Sequence, residues 1–92
     1  MLERRTIVVN RLGLHARAAA KLVRTAGAFR SSVRLVRADG GGAADAKSIL
    51  SVLVLAASRG TGLKVTAEGA DERAALDAVR ALISSGFGET EE

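Results

Sequence analysis

The 92-residue chain has one histidine, and that residue sits at a junction. Gly13-Leu14-His15-Ala16-Arg17-Ala18-Ala19-Ala20-Lys21 links an extended apolar stretch to an alanine run. Gly13 permits a sharp turn, because glycine carries no Cβ penalty at positive φ. The alanines have the highest helix propensity available. His15 is therefore expected at or just before a helix N-terminus, where unpaired N–H groups and the helix dipole favour an anion. Arg17 adds a cation two residues on. A neutral imidazole is itself a nucleophile, and the positive end of a helix disfavours the imidazolium form. A phosphoryl group on the ring could be held by the same amides and by Arg17 through charge-assisted hydrogen bonds. The chemistry on offer is phosphoryl carriage without a metal. No acid lies beside His15 in sequence, so no Ser/His/Asp set is apparent, although a spatial neighbour stays open. The alternative for a lone histidine is a structural or merely exposed role.

Composition narrows the classes. The length suits one small domain spanning residues 1–92. There is no cysteine, which excludes a disulfide framework and any thiolate metal site. With one histidine as well, a zinc site is not expected. The start, Met1-Leu2-Glu3-Arg4-Arg5-Thr6, lacks the apolar stretch of a targeting signal. The longest apolar run, Val52 to Ala57, is far short of a membrane span. The expectation is a cytoplasmic protein. Charge is uneven: residues 1–37 carry nine Lys/Arg against one acid, and residues 38–92 carry five against nine. A basic half around His15 fits an acidic partner or an anionic group, with a solvated arginine-rich face as the plain alternative.

Several elements must position the histidine. Glu3 to Asn10 reads as a strand centred on Ile7, Val8 and Val9. Ala16 to Ala28 reads as a helix, with Ala19, Leu22, Val23 and Ala26 as its inward stripe and Arg17, Lys21 and Arg24 as a basic ridge. Ser32 to Arg37 alternates as a half-buried strand. Asp39-Gly40-Gly41-Gly42 makes a hairpin turn into a short return strand, Ala43 to Asp45. Ser48 to Ser58 reads as a helix capped by Ser48, although its run of Ile, Val and Leu also fits a buried strand. As a helix it is apolar nearly all round, which leaves an exposed face of the docking type. Leu63 to Glu68 alternates cleanly as a strand. Asp71 is expected to cap a last helix whose stripe is Ala75, Leu76, Val79, Leu82 and Ile83, and which Gly86 ends. Gly88 to Glu92 reads as a frayed acidic tail. The order βαββαβα fits an α+β fold, a small antiparallel sheet with helices on one face.

The junction segment Gly13-Leu14-His15-Ala16-Arg17, with its alanine-rich helix, resembles the active-site segment of the histidine-containing phosphocarrier (HPr) family of the bacterial phosphotransferase system. Lys47-Ser48-Ile49-Leu50 resembles that family's regulatory-serine segment, and Gly69-Ala70-Asp71-Glu72 the start of its last helix. The resemblance implies an open-faced β-sandwich, a four-stranded antiparallel sheet with three helices on one face. It implies that His15 accepts a phosphoryl group on Nδ1 from enzyme I and passes it to enzyme IIA, with Arg17 assisting. It implies partner docking through Ile49, Leu50 and Leu53, with Ala20, Lys21 and Arg24 beside them. It further implies Ser48 as a site for an HPr kinase/phosphorylase; as a helix cap, Ser48 is already explained without that role. No cofactor is implied, and a monomer is expected. Ala18 stands where the family usually has proline, and the Gly40-Gly41-Gly42 hairpin is longer than its usual form. The Ser84-Ser85-Gly86-Phe87 ending resembles the nitrogen-related branch, so sugar uptake and a regulatory phosphorelay both remain open.

Two other classes compete. One is a non-catalytic interaction protein in which His15 is incidental. The other is a nucleic-acid binder, which the basic half suggests. The stacking aromatics of sheet-based RNA readers are missing, since Phe29 and Phe87 are the only aromatic residues and lie outside the expected strands. No nucleic-acid partner is expected.

Overall fold

The computed structural model describes residues 1–89. Its elements follow the expected order: β1 (Leu2–Ile7), α1 (Ala16–Gly27), β2 (Ser32–Arg37), β3 (Ala43–Asp45), α2 (Ile49–Leu55), β4 (Gly62–Glu68) and α3 (Glu72–Ser84). A short 3₁₀ turn, Gly86–Gly88, follows α3. The strands form one antiparallel sheet in the order β1-β4-β2-β3, an open sheet served by three helices.

Register follows from alternation. Val33 and Leu35 of β2 pair with Ala67 and Val65 of β4, so their side chains share one face. That face is buried, whereas Lys64, Thr66 and Arg34 lie on the other. The helices supply the second layer. Ala18, Ala19, Leu22 and Ala26 of α1 and Ala75, Leu76, Val79 and Ile83 of α3 are buried in one continuous core with the sheet's inner face. Each fully buried Leu or Ile contributes about 1.5–3 kcal/mol through removal from water.

Four expectations need correction. First, β1 ends at Ile7, not Asn10. Val8 still exchanges hydrogen bonds with the Gly60–Thr61 turn, at 3.0 Å to Thr61 O and 2.7 Å from the Gly60 N–H. Ile7 and Val9 are exposed on either side of the buried Val8, so the in-out alternation runs on past the last ladder pair. Second, the run at residues 49–55 is a helix, but it stops at Leu55 because Ala56 turns left-handed (φ 55°). Third, Asp71 occupies the N-cap position of α3 without capping it. Its carboxylate instead accepts from the Arg30 N–H (3.0 Å), the Ser31 N–H (2.9 Å) and the Ser31 hydroxyl (2.5 Å), tying the start of α3 to the start of β2. These bonds, the Ser31 hydroxyl first and the Arg30 amide next, outweigh partial burial and hold the Asp71 carboxyl down at about 2. Fourth, the chain beyond α3 does not fray at once. Phe87 is fully buried, and Gly88 and Glu89 continue against the molecule; residues 90–92 lie outside the described residues.

Candidate functional site

The site is made by the segment that leaves β1. The Asn10 carbonyl accepts the Gly13 N–H at 3.1 Å, which closes a tight turn, and the Leu14 N–H then donates to the Ala57 carbonyl at 3.0 Å. Gly13 adopts φ +65°, and a Cβ there would lie 2.6 Å from the Ala57 oxygen and 2.9 Å from Ser58 Cα. Only glycine satisfies both demands. His15 follows as the N-cap of α1, with extended backbone (φ −73°, ψ 178°), and its carbonyl accepts the Ala19 N–H at 2.8 Å. Its side chain acts as the cap: the Arg17 N–H donates to Nδ1 at 3.3 Å. The expected placement of His15 at a helix N-terminus is found, with Nδ1 as the nitrogen that faces the helix amides.

The other ring nitrogen has a partner that no local reading of the sequence suggested. His15 Nε2 lies 2.5 Å from Glu89 Oε2, across 74 positions of sequence. The Asn10 side-chain amide donates both to Glu89 Oε1 (3.2 Å) and to the Gly13 carbonyl (2.7 Å). Asn10 is 3% exposed, and its own Oδ1 has no partner among the described residues. Glu89 is carried there by Phe87, which is buried in the core at φ 61°, and the Lys21 ammonium clamps the Phe87 carbonyl at 2.7 Å. Partial burial pushes the Glu89 carboxyl up, but the hydrogen bonds from His15 and Asn10 and the nearby Lys21 charge outweigh it and hold the group below its ordinary value. The acid absent beside His15 in sequence is thus present beside it in space.

Leu12, His15, Arg17, Lys21, Gly88 and Glu89 line an open cleft of about 540 Å³. The His15 side chain is 26% exposed, reachable from solvent yet held on both nitrogens. Arg17 is exposed, and its guanidinium makes no hydrogen bond or ion pair among the described residues. It lies at the wall of the cleft. Ala18 is fully buried in the first turn of α1, where no helix residue lies four back to receive its N–H. That is a position a proline tolerates.

The docking residues named from sequence lie on α1 and α2, which pack side by side. Ile49, Leu50 and Leu53 are exposed, Leu50 at 72%. Arg24 is exposed in the last turn of α1, while Ala20 and Lys21 are half-buried. The sequence reading missed Val54, exposed at 74%, although its spacing of four from Leu50 puts it on the same stripe. It also missed Leu12, exposed at the rim of the cleft. Ser48 is the N-cap of α2, and its Oγ accepts the Ser51 N–H at 3.2 Å.

The chain is thus an open-faced antiparallel sheet under three helices, with a histidine held on both ring nitrogens at the start of the first. The family model for the phosphotransferase-system HPr component phosphorylation site matches residues 2–85, and the chain belongs to that HPr family. It is 50% identical over 91 residues to the phosphocarrier protein HPr of Cupriavidus necator, covering 99% of this chain and all of that one. It is 43% identical over 86 residues to the phosphocarrier protein NPr of Proteus mirabilis, covering 94% of each. Among solved structures, HPr-C-His from Thermoanaerobacter tengcongensis superposes with a TM-score of 0.91 at 40% identity, over 99% of this chain and all of that one. An HPr dimer from the same organism matches at 0.74 and 42%, over 97% of this chain and all of that one.

Proposed function

We propose that the chain carries a phosphoryl group within a phosphoenolpyruvate-dependent phosphotransferase system, accepting it from enzyme I on His15 Nδ1 and passing it to a histidine of enzyme IIA. The observation that carries the reading is the capping geometry of His15. Nδ1 meets the Arg17 N–H at 3.3 Å, so a phosphoryl group on that atom is placed at the positive end of α1. Arg17 is free to fork onto its oxygens. Such a group is stabilised enough to form, yet sits in an open cleft from which a partner can take it. The chain turns over no substrate of its own and is not a free-standing catalyst.

The exposed apolar stripe of α2 and the basic edge of α1 give partners a surface: Ile49, Leu50 and Leu53 at its centre, Ala20, Lys21 and Arg24 beside it. A basic rim attracts partners with acidic faces. Ser48 caps the helix at the middle of this surface, and an HPr kinase/phosphorylase acting there would add about two negative charges to it. The reading is of a cytoplasmic monomer that serves sugar uptake or a regulatory relay. Light scattering tests the assembly: the mass of one chain is expected, and a stable dimer would refute that part.

The test of the carrier role is incubation with enzyme I and phosphoenolpyruvate. The expected product is an acid-labile, base-stable phosphate on the wild-type chain and none on His15→Ala. Absence of transfer to wild type, or undiminished labelling of His15→Ala, would overturn it. Partner binding that survives His15→Ala in the absence of any phosphorylation would favour a purely regulatory interaction protein.

A further inference from the structure

We propose that Glu89 is a positioning residue for the phosphoryl chemistry of His15: its carboxylate keeps the proton on Nε2 and thereby keeps the lone pair on Nδ1, aimed at the start of α1. This inference deepens the phosphocarrier reading and rests on it.

The two contacts of the ring demand one tautomer. An ionised carboxylate only accepts hydrogen bonds, so Nε2, 2.5 Å from Glu89 Oε2, must carry a hydrogen. A backbone N–H only donates, so Nδ1, 3.3 Å from the Arg17 nitrogen, must present its lone pair. In a neutral imidazole the bond made by one nitrogen decides which nitrogen is the nucleophile. Here both bonds select Nδ1.

The carboxylate is itself held. Asn10 donates to its second oxygen, and Asn10 is buried and anchored to the Gly13 carbonyl. Glu89 follows directly on a turn whose Phe87 is locked in the core and whose carbonyl is clamped by Lys21. The Glu89 N–H closes that turn on the Gly86 carbonyl at 3.1 Å.

The step balances without a proton transfer. The Nδ1 lone pair forms a bond to the phosphorus of a phosphoimidazole donor. The donor's P–N bond breaks and its electron pair returns to the donor ring. Nε2 keeps its hydrogen, so the His15 ring gains positive charge as the new bond forms. Glu89 sits on the far side of the ring from the phosphoryl group, where it offsets that charge without repelling the incoming oxygens. Onward transfer reverses the flow, and the ring becomes neutral again. Glu89 thus stabilises the charged ring more than the neutral one, which is the condition for speeding phosphoryl uptake from the donor.

The test uses the full chain, unphosphorylated, with ring ¹⁵N shifts of His15 read in the alkaline range where imidazoles are neutral. Wild type is expected to show the Nε2–H tautomer. Glu89→Ala leaves only the long 3.3 Å bond from the Arg17 N–H to select the tautomer, and should lower the Nε2–H fraction. Glu89→Gln, whose amide oxygen still accepts, should restore the Nε2–H form without the charge. Initial rates of phosphorylation by enzyme I are expected to fall about 10–100-fold in Glu89→Ala, the range typical of partners that orient a functional histidine, and less in Glu89→Gln. Unchanged tautomer and unchanged rate in Glu89→Ala would overturn the proposal. A slower rate with an unchanged tautomer would overturn it too, because the effect would not run through the ring. If wild type accepts no phosphoryl group, the carrier reading fails, while the ¹⁵N measurement still decides whether Glu89 sets the tautomer.

Discussion

Gly13→Ala puts the junction of the site under direct test. Two costs add. The position has φ +65°, where an L-residue loses about 1–2 kcal/mol. The new Cβ would also stand 2.6 Å from the Ala57 carbonyl oxygen, a backbone atom, which must retreat by at least about 0.4 Å to reach a tolerable 3.0 Å. That same oxygen receives the Leu14 N–H at 3.0 Å, so moving it stretches the bond that seats the residue before His15. Overpacking of this kind costs about 1–3 kcal/mol. Together the substitution is expected to remove roughly 2–5 kcal/mol from a domain whose total is about 5–15 kcal/mol. Urea unfolding followed by far-ultraviolet circular dichroism reads the loss. Phosphorylation by enzyme I should slow as well, by less than the roughly 10²-fold that a 1 Å misplacement near reacting atoms costs. Gly27→Ala is the control: nothing lies within 4 Å of the added methyl, and in a helix it should be neutral or stabilise by up to about 1 kcal/mol. A loss under about 1 kcal/mol for Gly13→Ala, with wild-type transfer, would refute the argument that the turn needs glycine for both φ and space.

Three further outcomes are expected. Phe87→Ala empties a fully buried site and should cost about 3–5 kcal/mol while releasing Glu89 from His15; a loss below about 1 kcal/mol with an unchanged His15 ¹⁵N spectrum would contradict it. The Asp71 carboxyl is held at about 2 against an ordinary 3.8, so its stabilising bonds are fully present above the ordinary value and are lost as the pH falls towards 2. Asp71→Asn should flatten the acid limb of a urea-stability profile. Some slope should remain, because Asp39, bonded to Arg37 and the Gly41 amide, is lowered to about 2 as well. An unaltered profile would count against the Asp71–Ser31 tie. Ser48→Ala should cost about 0.5–2 kcal/mol through loss of the α2 cap, and Ser48→Asp, an equally good cap, should restore it; equal melting temperatures for all three forms would show that the cap does not hold α2.

The sequence alone carried what is local. The strand-turn-helix junction at His15 was legible because Gly13 and the alanine run each act within a few residues. The sheet and helix order was legible because alternation in Leu63 to Glu68 and the three-and-four spacing of Leu76, Val79 and Ile83 report their own periods. The exposed stripe of α2 was legible as an excess of apolar residues in a helix too short to bury them. Less visible were the ends of elements, where neighbours compete with propensity. β1 stops at Ile7 because Val8 pairs with the Gly60–Thr61 turn and the chain then closes on Gly13. Asp71 looks like a helix cap, but its carboxylate goes to Ser31, 40 positions away, where two amides and a hydroxyl outcompete the α3 amides.

The second half of the site belongs to the tertiary structure. Glu89 reads as one more acid near a charged terminus, and nothing in its local pattern connects it with His15. Only the packing of Phe87 into the core, and the Lys21 clamp on its carbonyl, bring that carboxylate to Nε2. The sequence determined that a histidine would head a helix, with an arginine beside it, because helix capping is settled by a few adjacent residues. Which ring nitrogen would face the helix, and which would be held by an acid, was decided by a contact across 74 positions. Such a contact exists only once the core has closed.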